Sequence, residues 1–105
     1  MRYLLNSAVL TSPGIYHYRL VTLQEAVTWL QQGDFISRIG YLTTAKHIEA
    51  FSGIRPEVDR GSTNMKAGDE ALVVRLKYRI QEPDQKGIYK PGLADWEYGI
   101  IEKEE

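Results

Sequence analysis

An α+β fold, with a mixed sheet of about five strands and two or three short helices, is what this sequence predicts, and three features carry the prediction. Residues 70 to 80 alternate between apolar and charged side chains, the period of a strand with two unlike faces. Thr22-Leu23-Gln24-Glu25 opens an apolar stripe at helical spacing. Glycine and proline clusters cut the remainder into short pieces, and 105 residues suit one domain with one core.

In chain order, residues 2 to 10 are apolar with little polarity on either face, the pattern of a strand covered on both sides. Thr11-Ser12-Pro13-Gly14 breaks it, and residues 15 to 21 form a second strand. The Thr22 hydroxyl and Glu25 carboxylate fit a capping box at a helix start; Leu23, Ala26, Val27 and Leu30 form its apolar stripe, and Gly33 its stop. Residues 35 to 39 read as a short strand and Gly40 as a break. A second helix is expected from about residue 44 to 52, with Thr43 as its cap and Gly53 as its end.

Pro56 and Gly61 mark residues 54 to 61 as loop, and residues 63 to 66 as a short strand leading into the long one at 70 to 80. Residues 81 to 92, with Pro83, Gly87, Pro91 and Gly92, read as an irregular connection. The last strand spans residues 95 to 101, with Trp96, Tyr98 and Ile100 on one side, and the acidic end Glu102-Lys103-Glu104-Glu105 reads as frayed and solvated.

Composition excludes several classes of function. A net charge of -1 argues against a general coat for DNA or RNA, so any anion site must be local, and duplex nucleic acid is not the expected partner. Without cysteine there is no thiolate nucleophile and no disulfide framework, and two histidines do not build a zinc site, so neither a metal nor a cofactor is expected. The apolar start stops at Asn6, far short of a membrane span, which points to the cytoplasm, that of the host if the protein is viral.

Arg75, Lys77 and Arg79 project from one strand face at roughly 7 Å intervals. That spacing matches successive phosphates, and it equally suits a solvated sheet edge protected from aggregation. Glu82 lies within reach for acid-base work or as an ion-pair partner of Arg79, and Arg60 offers a second guanidinium for bidentate phosphate contacts. Asn6 is an amide at the end of an apolar strand, which needs hydrogen-bond partners and either orients a ligand or satisfies a turn. His47, in the second helix, and His17, in a strand between tyrosines, read as structural or surface residues, a protonated His47 suiting the negative end of the helix dipole. The seven tyrosines include candidates for stacking on adenine, most of them being core or sheet-face residues.

Several segments in the same order resemble one family: Tyr3-Leu4-Leu5-Asn6-Ser7 with Leu10-Thr11, Phe35-Ile36-Ser37 with Ile39-Gly40, Gly68-Asp69-Glu70-Ala71-Leu72-Val73, then Arg79 and Glu82. They resemble the YddF-like and viral anti-CRISPR ring nuclease family. The resemblance implies a homodimer that holds cyclic tetra-adenylate, a second messenger of type III CRISPR defence, across its two-fold axis and cleaves it without a metal. It implies Asn6 and Ser7 in the strand-end ligand loop, Arg60 and Arg79 on phosphate, and Glu82 in the active site; Gly40 is expected at the ligand beside them, as is Arg75, which stands where some relatives carry a neutral polar residue and would add electrostatic stabilisation of the transition state. The family's helix opens with Gly-His, whereas this chain has Gly40-Tyr41. In the family that histidine protonates the leaving 5′-oxygen while the ribose 2′-hydroxyl attacks phosphorus. A phenol, ordinarily near pKa 10 against about 6.5 for imidazole, is the poorer acid, so Tyr41 in the catalytic place implies slow cleavage.

The expected protein is thus a cyclic oligoadenylate-binding homodimer with slow phosphodiesterase activity. One alternative is a sponge that sequesters a cyclic nucleotide intact. Another is a protein-interaction module built on the aromatic last strand.

Overall fold

A computed structural model of the chain describes residues 1 to 7, 12 to 61, 63 to 77 and 95 to 105. In it, five strands and two helices follow one another as β1 (Arg2–Leu5), β2 (Tyr16–Val21), α1 (Leu23–Gln31), β3 (Ile36–Arg38), α2 (Leu42–Ser52), β4 (Glu70–Leu76) and β5 (Trp96–Lys103). The strands form one mixed sheet in the order β2-β5-β4-β1-β3. β1 lies between β3 and β4 and is parallel to both, while β5 is antiparallel to both β4 and β2. The α+β architecture with a five-stranded mixed sheet is therefore as the sequence predicts.

Strand alternation sorts the core onto two faces. Leu4, Leu72, Val74, Trp96, Tyr98 and Ile100 pack beneath Ala26, Trp29 and Leu30 of α1 and Ala45 and Ile48 of α2. Leu5, Ala71, Val73 and Ile101 point to the other face, where Met65, Tyr3 and Tyr16 join them. The Trp96, Tyr98 and Ile100 stripe is thus core, which removes the interaction module built on that strand: Trp96 and Tyr98 are 4% and 9% exposed.

At α1 the capping box forms as the sequence requires, Thr22 Oγ1 accepting from the Glu25 N–H at 3.1 Å and the Thr22 N–H donating back to Glu25 at 3.4 Å. The bond from the Thr22 N–H holds the Glu25 carboxyl below its ordinary pKa, with Arg19 adding to the effect. The buried stripe is rotated from the expected one. Leu23 is exposed, and Trp29 takes the inner position, stacked on Phe35 and donating its indole N–H to Glu70 at 3.0 Å. Arg2 lies over that indole at 3.9 Å and also binds Glu70 at 3.0 Å, so one cation and one aromatic anchor β1 and β4 to α1.

Three other expectations are corrected. Helix α2 begins at Leu42 with Tyr41 as its N-cap, and Thr43 and Thr44 are buried within its first turn rather than capping it; Gly53 ends it at φ 77°, where a side chain would be strained. Residues 63 to 66 form no strand, Met65 instead inserting into the second core cluster. The carboxyl end is not frayed. β5 runs to Lys103, whose buried ammonium donates to the Met65 carbonyl at 2.8 Å, and Glu104 and Ile15 continue the pairing with β2. The final residues of the expected strand at 70 to 80 and the connection at 81 to 92 lie outside the described residues.

Removing residues 102 to 105 deletes the Lys103 anchor and the bonds from Glu104 to Ile15 and from Ile15 to Glu105. At about 0.5–1.5 kcal/mol for each net hydrogen bond, the loss should reach about 2–4 kcal/mol. Calorimetry should then show Tm lower by about 10 °C or more; an unchanged Tm would mean that the end is solvated after all.

Candidate functional site

Parallel strands β1, β3 and β4 end at the same rim of the sheet, and the chain leaves β3 there to enter α2. Ligands of open sheets with parallel strands gather at such carboxyl ends. Asn6 follows β1 at this rim, and its Oδ1 accepts the Gly40 N–H at 2.8 Å. From the other side, Arg60 Nε donates to the Gly40 carbonyl at 2.9 Å. Both polar groups of one glycine are therefore held by side chains from two separate segments. A Cβ on Gly40 would lie 3.4 Å from Arg60 Cγ and 3.5 Å from Asn6 Oδ1, so both side chains close to van der Waals contact around this residue.

Arg60 is placed by a loop that docks along the outer edge of β3. Val58 bridges to Ile39, Ser37 Oγ donates to the Glu57 carbonyl at 2.6 Å, and the Asp59 N–H donates to Ile39 at 2.8 Å. Asp59 then turns the chain, accepting from Gly61 N–H at 2.8 Å with one oxygen and from Arg38 at 2.8 Å with the other. With its Nε committed to Gly40, the Arg60 guanidinium sits 5.4 Å from the centre of the Tyr41 ring, and its terminal nitrogens have no partner among the described residues.

Tyr41 is 53% exposed and gives α2 no side-chain cap. The rim thus brings together a helix N-terminus without a side-chain cap, a prepositioned guanidinium and an exposed aromatic ring. This is chemistry suited to an anionic group attached to a flat base.

The structure assembles Asn6, Gly40, Tyr41 and Arg60 into one site. Ser7 is exposed beside Asn6 and makes no described contact with the clasp. Arg75 belongs elsewhere. It shares a face with Ala71 and Val73, away from the helices, and its Nε donates to Glu97 across the β4–β5 pair at 2.8 Å. Tyr18 completes that row. Its ring lies over Gly99, where a Cβ would come within 2.3 Å of it, and burial together with the Glu97 carboxylate raises the phenol's pKa. Of the expected stripe, then, Arg75 is an ion-paired sheet-face residue. Arg79 and Glu82 lie outside the described residues.

His47 is structural, as expected, but not in its protonated form. It is half-buried under α2, stacked on Trp96 at 4.0 Å and bonded to the Tyr98 hydroxyl at 2.7 Å. Burial lowers its pKa to about 4, so the ring is neutral at pH 7 and does not complement the helix dipole as a cation. The neighbouring Trp96 indole N–H is buried with no partner among the described residues. Sequence reasoning missed this cluster because stacking joins positions 47 and 96 only after folding. A groove of about 350 Å³ opens between α1 and the sheet, lined by residues including Arg19, Trp29 and Glu70 and by none of the clasp. Among the described residues no group of three potential ligands could hold a metal, and no helix is long and apolar enough to cross a membrane.

Replacing Asn6 with Ala leaves the Gly40 N–H without its acceptor and should cost about 1–3 kcal/mol in urea unfolding, whereas Asn6→Asp keeps an acceptor and should cost less. Equal losses for the two variants would show that the bond contributes little.

For His47 the folded pKa lies below the ordinary 6.5. The unfolded chain therefore binds more protons between the two values, and stability fully present above about pH 6.5 is lost as pH falls toward about 4. Thermal melts of His47→Phe should show a flatter acid limb than the parent; a parallel limb would place the sensitivity elsewhere.

The chain is similar to known proteins in sequence and in fold. The model of the STIV B116-like family matches residues 2–91. YddF of Bacillus subtilis (strain 168) is 36% identical over 80 residues, covering 74% of each chain. Protein 26 of Sulfolobus islandicus filamentous virus is 34% identical over 86 residues, covering 78% of this chain and 73% of its own. Among solved structures, B116 of Sulfolobus turreted icosahedral virus superposes with a TM-score of 0.75 over 96% of this chain and 97% of its own, at 16% identity, which speaks to the fold.

Proposed function

Because this chain belongs to the STIV B116-like family, we propose that its rim site binds cyclic tetra-adenylate between two copies of the chain and opens the ring slowly without a metal. The observation that carries this reading is the double grip on Gly40. It aims Arg60 and the start of α2 at one point while leaving both open to an anion. A phosphate there would take bidentate bonds from the Arg60 terminal nitrogens and the field of the helix N-terminus.

The reaction needs little else from the protein. The ribose 2′-hydroxyl attacks the adjacent phosphorus, the bond to the 5′-oxygen breaks, and that oxygen takes a proton, leaving a linear tetra-adenylate with a 2′,3′-cyclic phosphate, which a second cut in the opposite half divides into two linear di-adenylates ending in 2′,3′-cyclic phosphate. Arg60, with Arg79, holds the phosphate and offsets the charge that builds on it. Tyr41 stands where the leaving oxygen would be protonated, and a phenol does this slowly. Glu82 would act on the attacking hydroxyl. A second copy supplies the same groups to the opposite half of the ring, as two-fold symmetry allows.

The exposed Tyr41 ring beside the Arg60 guanidinium favours a second reading, a sponge. Stacking of a base on that ring would hold the ligand without any proton transfer.

Calorimetric titration with cyclic nucleotides, followed by chromatography of the recovered ligand, separates these readings. Cyclic tetra-adenylate should release heat, and Arg60→Ala or Arg79→Ala should weaken binding at least tenfold in folded protein. No heat with any cyclic nucleotide overturns both readings. With EDTA present, Tyr41→His should raise single-turnover cleavage at least tenfold while affinity changes far less. Ligand recovered intact from both the parent and Tyr41→His leaves only the sponge.

A further inference from the structure

Beside the clasp, Arg38 Nη1 and Asp59 Oδ2 form an ion pair at 2.8 Å. Its place in the chain is what gives it a consequence for the rim. Arg38 closes β3, and Gly40 and then Tyr41, the N-cap of α2, follow within three residues. Asp59 directly precedes Arg60. The pair therefore ties the segment that presents the aromatic ring to the segment that presents the guanidinium, a step behind both tips.

The tie is tightened on each side. The Asp59 N–H donates to the Ile39 carbonyl at 2.8 Å, and the second carboxylate oxygen accepts the Gly61 N–H at 2.8 Å, so the residues flanking Arg60 are both committed. A Cβ on Gly61 would lie 3.1 Å from that oxygen, and the turn after Arg60 is thus packed directly on the pair. The Arg60 bond to the Gly40 carbonyl also joins the two segments, but through the side chain that must meet the ligand. Arg38 and Asp59 join them through charges that are spent on each other.

We propose that Arg38 and Asp59 are positioning residues that determine specificity: their ion pair sets the separation of the Tyr41 ring and the Arg60 guanidinium, which stand 5.4 Å apart, so that the rim selects a phosphate carried with a flat base over a phosphate alone. This rests on the nucleotide reading of the rim, with a base stacked on Tyr41 and its phosphate on Arg60. A nucleotide joins base and phosphate through one sugar, so it gains from both contacts only where ring and guanidinium stand at the spacing the sugar allows. Inorganic phosphate uses Arg60 alone and is indifferent to that spacing. The pair is partly solvated, which makes it a modest restraint whose loss loosens the rim without unfolding the protein.

Two variants break the tie from opposite ends. Asp59→Asn keeps an acceptor for the Gly61 N–H and removes the charge that holds Arg38; Arg38→Met keeps much of the side chain's bulk and removes the other charge. They change the net charge beside the rim in opposite directions, so a simple field effect would move anion affinity in opposite directions, whereas a lost spacing weakens both alike. By calorimetry both should bind cyclic tetra-adenylate about threefold to fivefold more weakly than the parent. Affinity for inorganic phosphate, followed by NMR titration, should change by less than about twofold, as expected of screened charges. In an Arg60→Ala background, Asp59→Asn should cost nothing further, since it acts through that guanidinium. A measurement without ligand keeps this separate from the nucleotide reading: the Tyr41 ring-current shift on the Arg60 side-chain protons should shrink in both variants. If no cyclic nucleotide binds the parent, the nucleotide reading falls, and the ring-current shift alone decides whether the pair sets the spacing. Nucleotide affinity that is unchanged or moves in opposite directions in the two variants overturns the proposal, as do equal losses for nucleotide and phosphate, or a ring-current shift that neither variant alters.

Discussion

Gly40 gives its N–H to Asn6 and its carbonyl to Arg60, at 2.8 and 2.9 Å, and the arrangement of the whole rim follows from that grip. Asn6 is fixed because β1 is the central parallel strand, with β3 on one side and β4 on the other. Arg60 is fixed because its loop is docked on β3 through Val58, Glu57 and Asp59. Between them the entry angle of α2 has little freedom, and so the direction in which its first N–H groups point is set by two side chains outside the helix. An ordinary cap would have used an oxygen at the N-cap position itself. Tyrosine there cannot reach back, and the consequence is a helix start left without a side-chain cap.

The same economy appears on the other side of the sheet, with the opposite outcome. Tyr18, Glu97 and Arg75 span β2, β5 and β4 in one row, and Gly99 provides the flat floor that lets the Tyr18 ring lie across it. A charged group is satisfied there by a neighbour one strand away. At the rim the Arg60 guanidinium is held by a carbonyl and flanked by a ring, with no carboxylate described against it. An arginine neutralised by Glu97 has far less to offer a phosphate than one whose Nε is held by a neutral carbonyl and whose charge meets no carboxylate among the described residues. That contrast, more than position in the chain, separates a stabilising arginine from a candidate ligand-binding one.

Much of this was legible in the sequence wherever the cause is local. The Thr22–Glu25 box, the Gly53 stop and the two-residue period of Leu72, Val74 and their neighbours are decided within a few residues, and they form as expected. Asn6, Arg60 and Gly40 stood out as single residues, but that they meet is a property of strand order, since the contacts join positions 34 and 20 residues apart. The misreadings share this origin. Thr43 looks like a cap until packing draws it inward, and Lys103 looks solvated until the Met65 carbonyl takes its ammonium. His47 looks like a helix-end cation until Trp96 stacks against it and burial removes its charge.

The rim also separates two tasks that an enzyme must join. Positioning is provided by rigid elements: a strand end, a docked loop and a glycine whose two backbone polar groups are both held. Proton transfer, in the proposed reading, falls to one exposed ring that no hydrogen bond holds at the helix cap. A site can keep its affinity when such a group changes, because affinity depends on the charges that face the ligand in its ground state. Rate depends in addition on a proton arriving as the leaving oxygen's bond breaks, which the clasp itself does not supply. Exchange of imidazole for phenol at position 41 should therefore act on the second quantity while sparing the first. On the proposed reading, a protein built in this way would hold its ligand for long periods before opening it, and with slow enough release it would silence a signal by occupancy alone.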